Sequence, residues 1–282
     1  MRGLVVVSGL LPYNSGKTFF TLALADYLRS LGYSVGVVKP VAAHSLWEQY
    51  EYFLESRKLG VLVGEDVAKY VKTGFIQDID LQNPVDVMTA PHDLMKHSSL
   101  DSYLTSLTSV IDQAVLVRVS SSNQRNYYVI KNNLSKLSDH LISEIKEFTD
   151  SLGKVEEVDN AWLYSKLMSR EIDALLTEST NKVLSKHDVT LCESFSNALL
   201  PTFGLRTLVK HVVVVSPSKA LVYGPSKVTT YLRALDRLRA ETLFLVMLLK
   251  PDMVLSIKPS LTYSNILKEE EARKLEDFLI HE

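Results

Sequence analysis

A single cysteine in 282 residues, Cys192, leaves the chain unable to close an internal disulfide or to assemble a structural zinc site from thiolates. That scarcity fits a reducing compartment, and a cytoplasmic location is expected. Charge of one sign is missing as well. With 31 basic residues against 33 acidic ones the formal net charge is -2, so no global field draws the chain to nucleic acid or to an acidic membrane. Long apolar runs are also absent: Leu4 to Val7 and Leu243 to Leu249 both fall well short of the about 20 residues that a helical bilayer crossing needs, and no small-residue cleavage site closes off the first. No Gly-x-Ser-x-Gly elbow occurs, which removes that route to acyl transfer. Neither nucleic acid nor a membrane is an expected partner.

What is present is an ordinary globular composition, 46% hydrophobic and 23% charged, enough for one large domain over residues 1–282. Leu4 to Val7, Ser34 to Val38, Val189 to Cys192, His211 to Val215 and Thr242 to Leu249 are continuous apolar runs, the pattern of strands covered on both faces of a parallel sheet. Thr18 to Leu31 carries Phe19, Leu22, Ala23, Ala25, Tyr27 and Leu28 at helical spacing and ends near Gly32. Strand, helix and strand at this spacing make a βαβ unit, and the expected fold is a doubly wound α/β domain with a mostly parallel sheet. Residues 98–186 break the rhythm. Ala114 to Val119 and Tyr127 to Ile130 suggest a hairpin, and helices are expected over Leu134 to Leu152 and Ala161 to Leu184, joined by an acidic, strand-poor segment from Gly153 to Asp159. This stretch is expected to be an insertion within the one domain. A surface helix with an acidic face is expected over Asn265 to Ile280.

The chemistry lies between the first strand and the first helix, in Ser8-Gly9-Leu10-Leu11-Pro12-Tyr13-Asn14-Ser15-Gly16-Lys17-Thr18. A loop that ends in Gly-Lys-Thr in this context offers backbone N–H groups, the positive end of a helix dipole, an ammonium for the outer phosphates and a hydroxyl for Mg²⁺. Asn14, Ser15, Gly16, Lys17, Thr18 and Phe19 are the expected nucleotide contacts. The standard spacing puts four residues between the two glycines, whereas Leu10 to Ser15 put six between Gly9 and Gly16, so this loop is long. A hard cation on the phosphates also needs a carboxylate at the end of a neighbouring buried strand. Glu193, the first charged residue after Val189 to Cys192, supplies one.

These residues, together with Lys39-Pro40-Val41-Ala42, Asn83-Pro84 and Pro91-His92, resemble the dethiobiotin synthetase branch of the P-loop NTPases, over about residues 1–93 and 187–250. The resemblance implies that Lys17 binds phosphates, that Thr18, Glu193 and Asp66 hold the metal, and that Lys39 faces a carboxylated substrate and the phosphoryl group. It further implies ATP and Mg²⁺ as cofactors, a small-molecule acceptor and a homodimer. The substrate positions depart from the family. Leu10, Leu11, Pro12 and Tyr13 stand where its members carry threonines and acidic residues, Ala43 replaces a serine, and Ser194-Phe195-Ser196-Asn197 replaces a glycine-rich segment. Nucleotide and metal binding are therefore expected, and biotin chemistry is not.

Base preference is open between ATP, the first choice, and GTP. Leu249-Lys250-Pro251-Asp252, expected to follow the last core strand, stands where relatives read the base, with Lys250 and Asp252 either a guanine reader or a plain turn. His44 is a candidate general base or a bystander. Arg125, Tyr127 and Tyr128 belong to an ordinary hairpin or to a stacking platform, and Cys192 reads as a small core residue. The expected activity is ATP hydrolysis or γ-phosphoryl transfer to a small carboxylate or carbamate. The alternative is a nucleotide-switched ATPase or GTPase that engages a protein through residues 98–186.

Overall fold

The computed structural model describes residues 3–121, 124–234 and 241–281. The chain runs through β1 (Gly3–Gly9), α1 (Lys17–Ser30), β2 (Val35–Val38), β3 (Val41–Ser45), α2 (Tyr50–Leu59), α3 (Glu65–Lys72), α4 (Ile79–Gln82) and β4 (Val85–Thr89). It continues through α5 (Leu100–Ser106), α6 (Val110–Gln113), β5 (Ala114–Ser121), β6 (Gln124–Ile130), α7 (Lys131–Leu134), α8 (Asp139–Ser151), β7 (Val155–Val158), α9 (Asn160–Leu167) and α10 (Arg170–Leu184). The last elements are β8 (Val189–Glu193), β9 (Val209–Ser216), β10 (Lys219–Tyr223), α11 (Pro225–Ala234), α12 (Thr242–Leu248), β11 (Met253–Ser256) and α13 (Glu269–His281). Two units are resolved: Met1–Pro40 with Thr73–Asp78 and Leu176–Glu282, and Val41–Lys72 with Ile79–Leu175.

The first unit is built on a sheet in the order β11-β10-β9-β1-β8-β2. β9, β1, β8 and β2 are parallel, and β10 and β11 add an antiparallel edge. Burial on both faces explains the unbroken apolar runs: every residue from Leu4 to Gly9 and from Val189 to Glu193 is buried. In α1, Phe20, Leu24 and Leu28, spaced by four, are fully enclosed, and burying each contributes about 1.5–3 kcal/mol. The helix closes with Gly32 N–H on Arg29 O and Tyr33 N–H on Leu28 O, so the chain turns back toward β2. Helices cover both faces. Thr18 of α1 meets Glu193 on one side; Gly36, paired with Thr190 and so of opposite phase to Glu193, faces Val183 of α10 and the following His187 on the other. The fold is α/β, as the apolar runs predict.

One expected strand is a helix. Thr242 to Leu248 forms α12, with Thr242 and Leu245 buried while Leu243, Met247 and Leu248 lie exposed. A seven-residue apolar run does not discriminate strand from helix by hydrophobicity alone, and its three leucines and one methionine favour the helix.

The second unit carries a sheet in the order β3-β4-β5-β6-β7. β5 and β6 form the expected antiparallel hairpin, and its tip, residues 122–123, lies outside the described residues. Leu46, Phe53, Leu116, Leu137, Ile145 and Phe148 share one core, in which Phe53 meets Phe148 edge to face at 5.5 Å. The segment expected to lack strands contains β7, an edge strand whose Glu156 and Glu157 pair with Lys154 and Lys131. Charges on an edge discourage further pairing and hide the strand from a hydrophobicity scan. The helix expected over residues 161–184 is broken into α9 and α10. Among the described residues no helix is long and apolar enough to cross a membrane.

Candidate functional site

At the end of β1 the chain must fold back over its own strand. A Cβ on Gly9 would lie 2.5 Å from Ser15 Oγ and 2.8 Å from Lys17 Nζ, so any larger residue would push the serine and the lysine out of these positions. Leu10 N–H donates to Val215 O at 2.9 Å, which pins the loop to β9. From there Leu11 to Asn14 run exposed. Asn14 and Gly16 take the left-handed conformation, with φ of 54° and 89°, and Gly16 caps α1 without contributing a side-chain acceptor. Ser15 is buried beneath the turn, and Phe19 follows in the first turn of α1.

Lys17 does not point to solvent. Its ammonium donates to Ser196 O at 2.9 Å and to Ser15 Oγ at 3.3 Å, and the residue is 8% exposed. Ser196 offers that carbonyl from a left-handed backbone, φ 47°, a geometry that costs a serine roughly 1–2 kcal/mol. The contact ties the phosphate loop of β1 to the segment that follows β8. Sequence reasoning noted Ser196 only as one polar residue of a divergent segment; a main-chain acceptor leaves no signature in residue type.

Glu193 ends β8, the immediate neighbour of β1, and pairs in register with Val7. Its side chain is wholly buried. Oε1 accepts from Thr18 Oγ1 at 3.3 Å and from Lys39 Nζ at 2.5 Å; Lys39 also donates to Ser194 O at 3.3 Å. Burying a carboxylate without hydrogen-bond or ion-pair partners is costly, and these contacts supply them. Lys17, Thr18, Lys39 and Glu193, scattered over more than 170 positions, thus meet at the carboxyl ends of β1, β2 and β8. The connection from β1 leads outward to β2, whereas that from β8 returns across β1 to β9. Reversals of this kind open a crevice at the strand ends of α/β sheets, the place where such folds bind ligands.

The donor set suits a hard divalent ion. Thr18 Oγ1 and Glu193 Oε1, 3.3 Å apart, come close to the about 3 Å between adjacent oxygens around magnesium with its about 2.1 Å bonds. The third expected ligand, Asp66, belongs to the second unit, in the first turn of α3. Buried without hydrogen-bond partners are the hydroxyls of Ser8 and Ser194. Each follows directly on a member of the Val7 and Glu193 pair. Beside Glu193, burial pushes the Cys192 thiol well above its ordinary range, so it stays a protonated core residue.

Other candidates are already engaged. The expected base-reading turn follows a helix, α12, and not a core strand. Asp252 Oδ2 accepts from Gly224 N–H at 2.8 Å and Oδ1 pairs with Lys227 at 2.5 Å, while Lys250 O accepts from Lys227 at 2.9 Å. Burial alone would raise the Asp252 carboxyl, but those donors hold it below the usual carboxylate range. The geometry is that of a turn anchoring the start of α11. His44, in the second unit, lies 2.9 Å from Asp86 and is buried. Arg125 grips both oxygens of Asp80 at 2.8 and 2.9 Å, and Tyr128 packs on Trp162 with ring centres 4.4 Å apart. These contacts tie the hairpin to α4 and α9.

No protein-family model matches the chain. No curated protein matches it either. Among solved structures it is similar to a KaiC-like protein of the hyperthermophilic archaeon Pyrococcus horikoshii, with 13% identity, 94% of this chain and 88% of that one covered, and a TM-score of 0.29. A likeness this distant carries no argument about fold or activity, which rest on the residues themselves.

Proposed function

We propose that this chain binds a nucleoside triphosphate with magnesium, ATP in the first instance, and hydrolyses it or passes its γ-phosphoryl group to a small carboxylate or carbamate. The observation that carries this reading is the convergence of Lys17, Thr18 and Glu193 at one sheet edge, under a loop that closes over Gly9. In that role Lys17 exchanges the Ser196 carbonyl for phosphate oxygens, and the first turn of α1 faces the anion. Thr18 and Glu193 would hold the metal, which when bound neutralises charge developing on the phosphoryl oxygens. Lys39, whose Nζ donates to Glu193 Oε1 at 2.5 Å, presents its ammonium beside the acceptor. The engagement of Asp252 at α11 favours ATP over GTP.

Thermal melts and steady-state hydrolysis with Mg·ATP and Mg·GTP test this. A ligand selective for the native form raises the melting temperature by mass action. Lys17→Ala is expected to abolish both the shift and turnover, whereas Lys39→Ala should keep the shift and lose any acceptor-dependent rate. Equal loss of nucleotide binding in both variants would refute the division of roles, and a wild-type protein that takes up neither nucleotide would refute the reading.

A further inference from the structure

The second unit contains a cavity of its own, 580 Å³ in volume, lined among others by Trp47, Glu48, His92, Asp93, Tyr103 and Leu141. That volume falls within the range of small-molecule sites, about 300–1,000 Å³. Its chemistry is one-sided: two carboxylates and three aromatic rings contribute to the wall, and no lysine or arginine does. Lys96 is not part of the wall, and its ammonium is engaged by Leu137 O at 2.5 Å and Ser135 O at 3.3 Å.

His92 brings a ring and not a charge. Its Nε2 lies 2.9 Å from Asp112 O, a pure acceptor, so Nε2 carries the proton; Nδ1, 3.0 Å from His97 Nε2, then accepts. Burial holds the ring below the ordinary histidine pKa, which keeps it neutral. Ser138, also on the wall, precedes the first turn of α8. A helix start supplies only about half a positive charge, less than the two full negative charges of Glu48 and Asp93.

From this lining we infer that the cavity binds a small organic ammonium with an apolar body, its charge set between Glu48 and Asp93 and its body against Trp47 and Tyr103. An ammonium over an indole or phenol face is attracted by the ring quadrupole, and the exposed Trp47, 68% accessible, can close over a ligand held at the carboxylates.

The test uses the full chain and three probes of one shape, benzylammonium, benzyl alcohol and benzoate, titrated by calorimetry at pH 7. Benzylammonium is expected to bind at least tenfold more tightly than the other two, with Glu48→Gln and Trp47→Ala each losing about tenfold of that affinity. Trp47 fluorescence in a Trp162→Phe background gives a second readout and should quench with the cation alone. Equal affinity for all three probes, no binding of benzylammonium by the unaltered protein, or unchanged affinity in both Glu48→Gln and Trp47→Ala would overturn the assignment.

Discussion

Each unit buries a charge, and the two charges are treated in opposite ways. Arg118, at the centre of the second unit's sheet, is wholly enclosed, and its N–H groups are spent on Leu62 O at 3.0 Å, Ser120 Oγ at 2.6 Å and Asn83 Oδ1 at 2.6 Å. Burial draws its pKa down from the usual guanidinium range, and Asp86, Tyr127 and Asp80 pull it back. Glu193, in the first unit, is equally buried but stands at a strand end beside an exposed loop, and its two donors, Lys39 and Thr18, are the residues a phosphate site would use. Burial of a charge is therefore no mark of function by itself. Position at the carboxyl ends of the strands, with partners able to exchange for a ligand, is what marks Glu193 as part of the candidate site and Arg118 as scaffold.

The sharpest way to break this contrast is at Arg118. Arg118→Ala strands three buried acceptors and should cost about 3–5 kcal/mol in urea unfolding, while Arg118→Met, which keeps the volume, should cost less. A cost below about 1 kcal/mol would show that the guanidinium is not structural. Next comes the loop. Gly9→Ala places a methyl 2.5 Å from Ser15 Oγ and 2.8 Å from Lys17 Nζ, so nucleotide affinity should fall at least tenfold, about 1.4 kcal/mol, with far-UV circular dichroism unchanged. Retained affinity would mean that Lys17 does not act from its present position.

The same contrast explains what was legible beforehand. The site could be read because its parts are side chains with distinctive chemistry on either side of apolar runs: Gly16-Lys17-Thr18 after β1, Lys39 after β2, Glu193 at the end of β8. The second unit could be read only in part: the β5–β6 hairpin was visible in its apolar segments, whereas β7, an edge strand with two glutamates, does not satisfy a search for apolar periodicity. Ser196 acts through its carbonyl, which any residue possesses. The misread α12 failed for another reason, since a short leucine-rich run satisfies both periods.

A pH-dependent effect belongs to His211 in β9, buried against Phe278 with neither ring nitrogen hydrogen-bonded. Burial, helped by Lys210, lowers its pKa from 6.5 to about 4. For a base whose folded pKa is depressed, stability is complete above the unfolded value and is lost as pH falls through the folded one. The window thus runs from about 6.5 down to about 4. The first unit should lose on the order of 2–3 kcal/mol across it, and His211→Phe should remove most of that slope in chemical unfolding at stepped pH. An unchanged slope would place the acid sensitivity elsewhere.

The smallest effect sharpens the base assignment. If Asp252 anchors α11 through Gly224 and Lys227, Asp252→Asn keeps an acceptor for the Gly224 N–H and loses only a half-exposed ion pair, worth about 0.2–1 kcal/mol. Its ratio of ATP to GTP affinity should then match that of the wild type in paired titrations. A guanine-reading carboxylate behaves differently, because replacing it removes an acceptor that pairs with two base N–H groups and leaves them facing an amide, so GTP affinity alone would fall by about tenfold or more. The two outcomes differ in kind, and the titration decides between an anchor and a reader without requiring turnover.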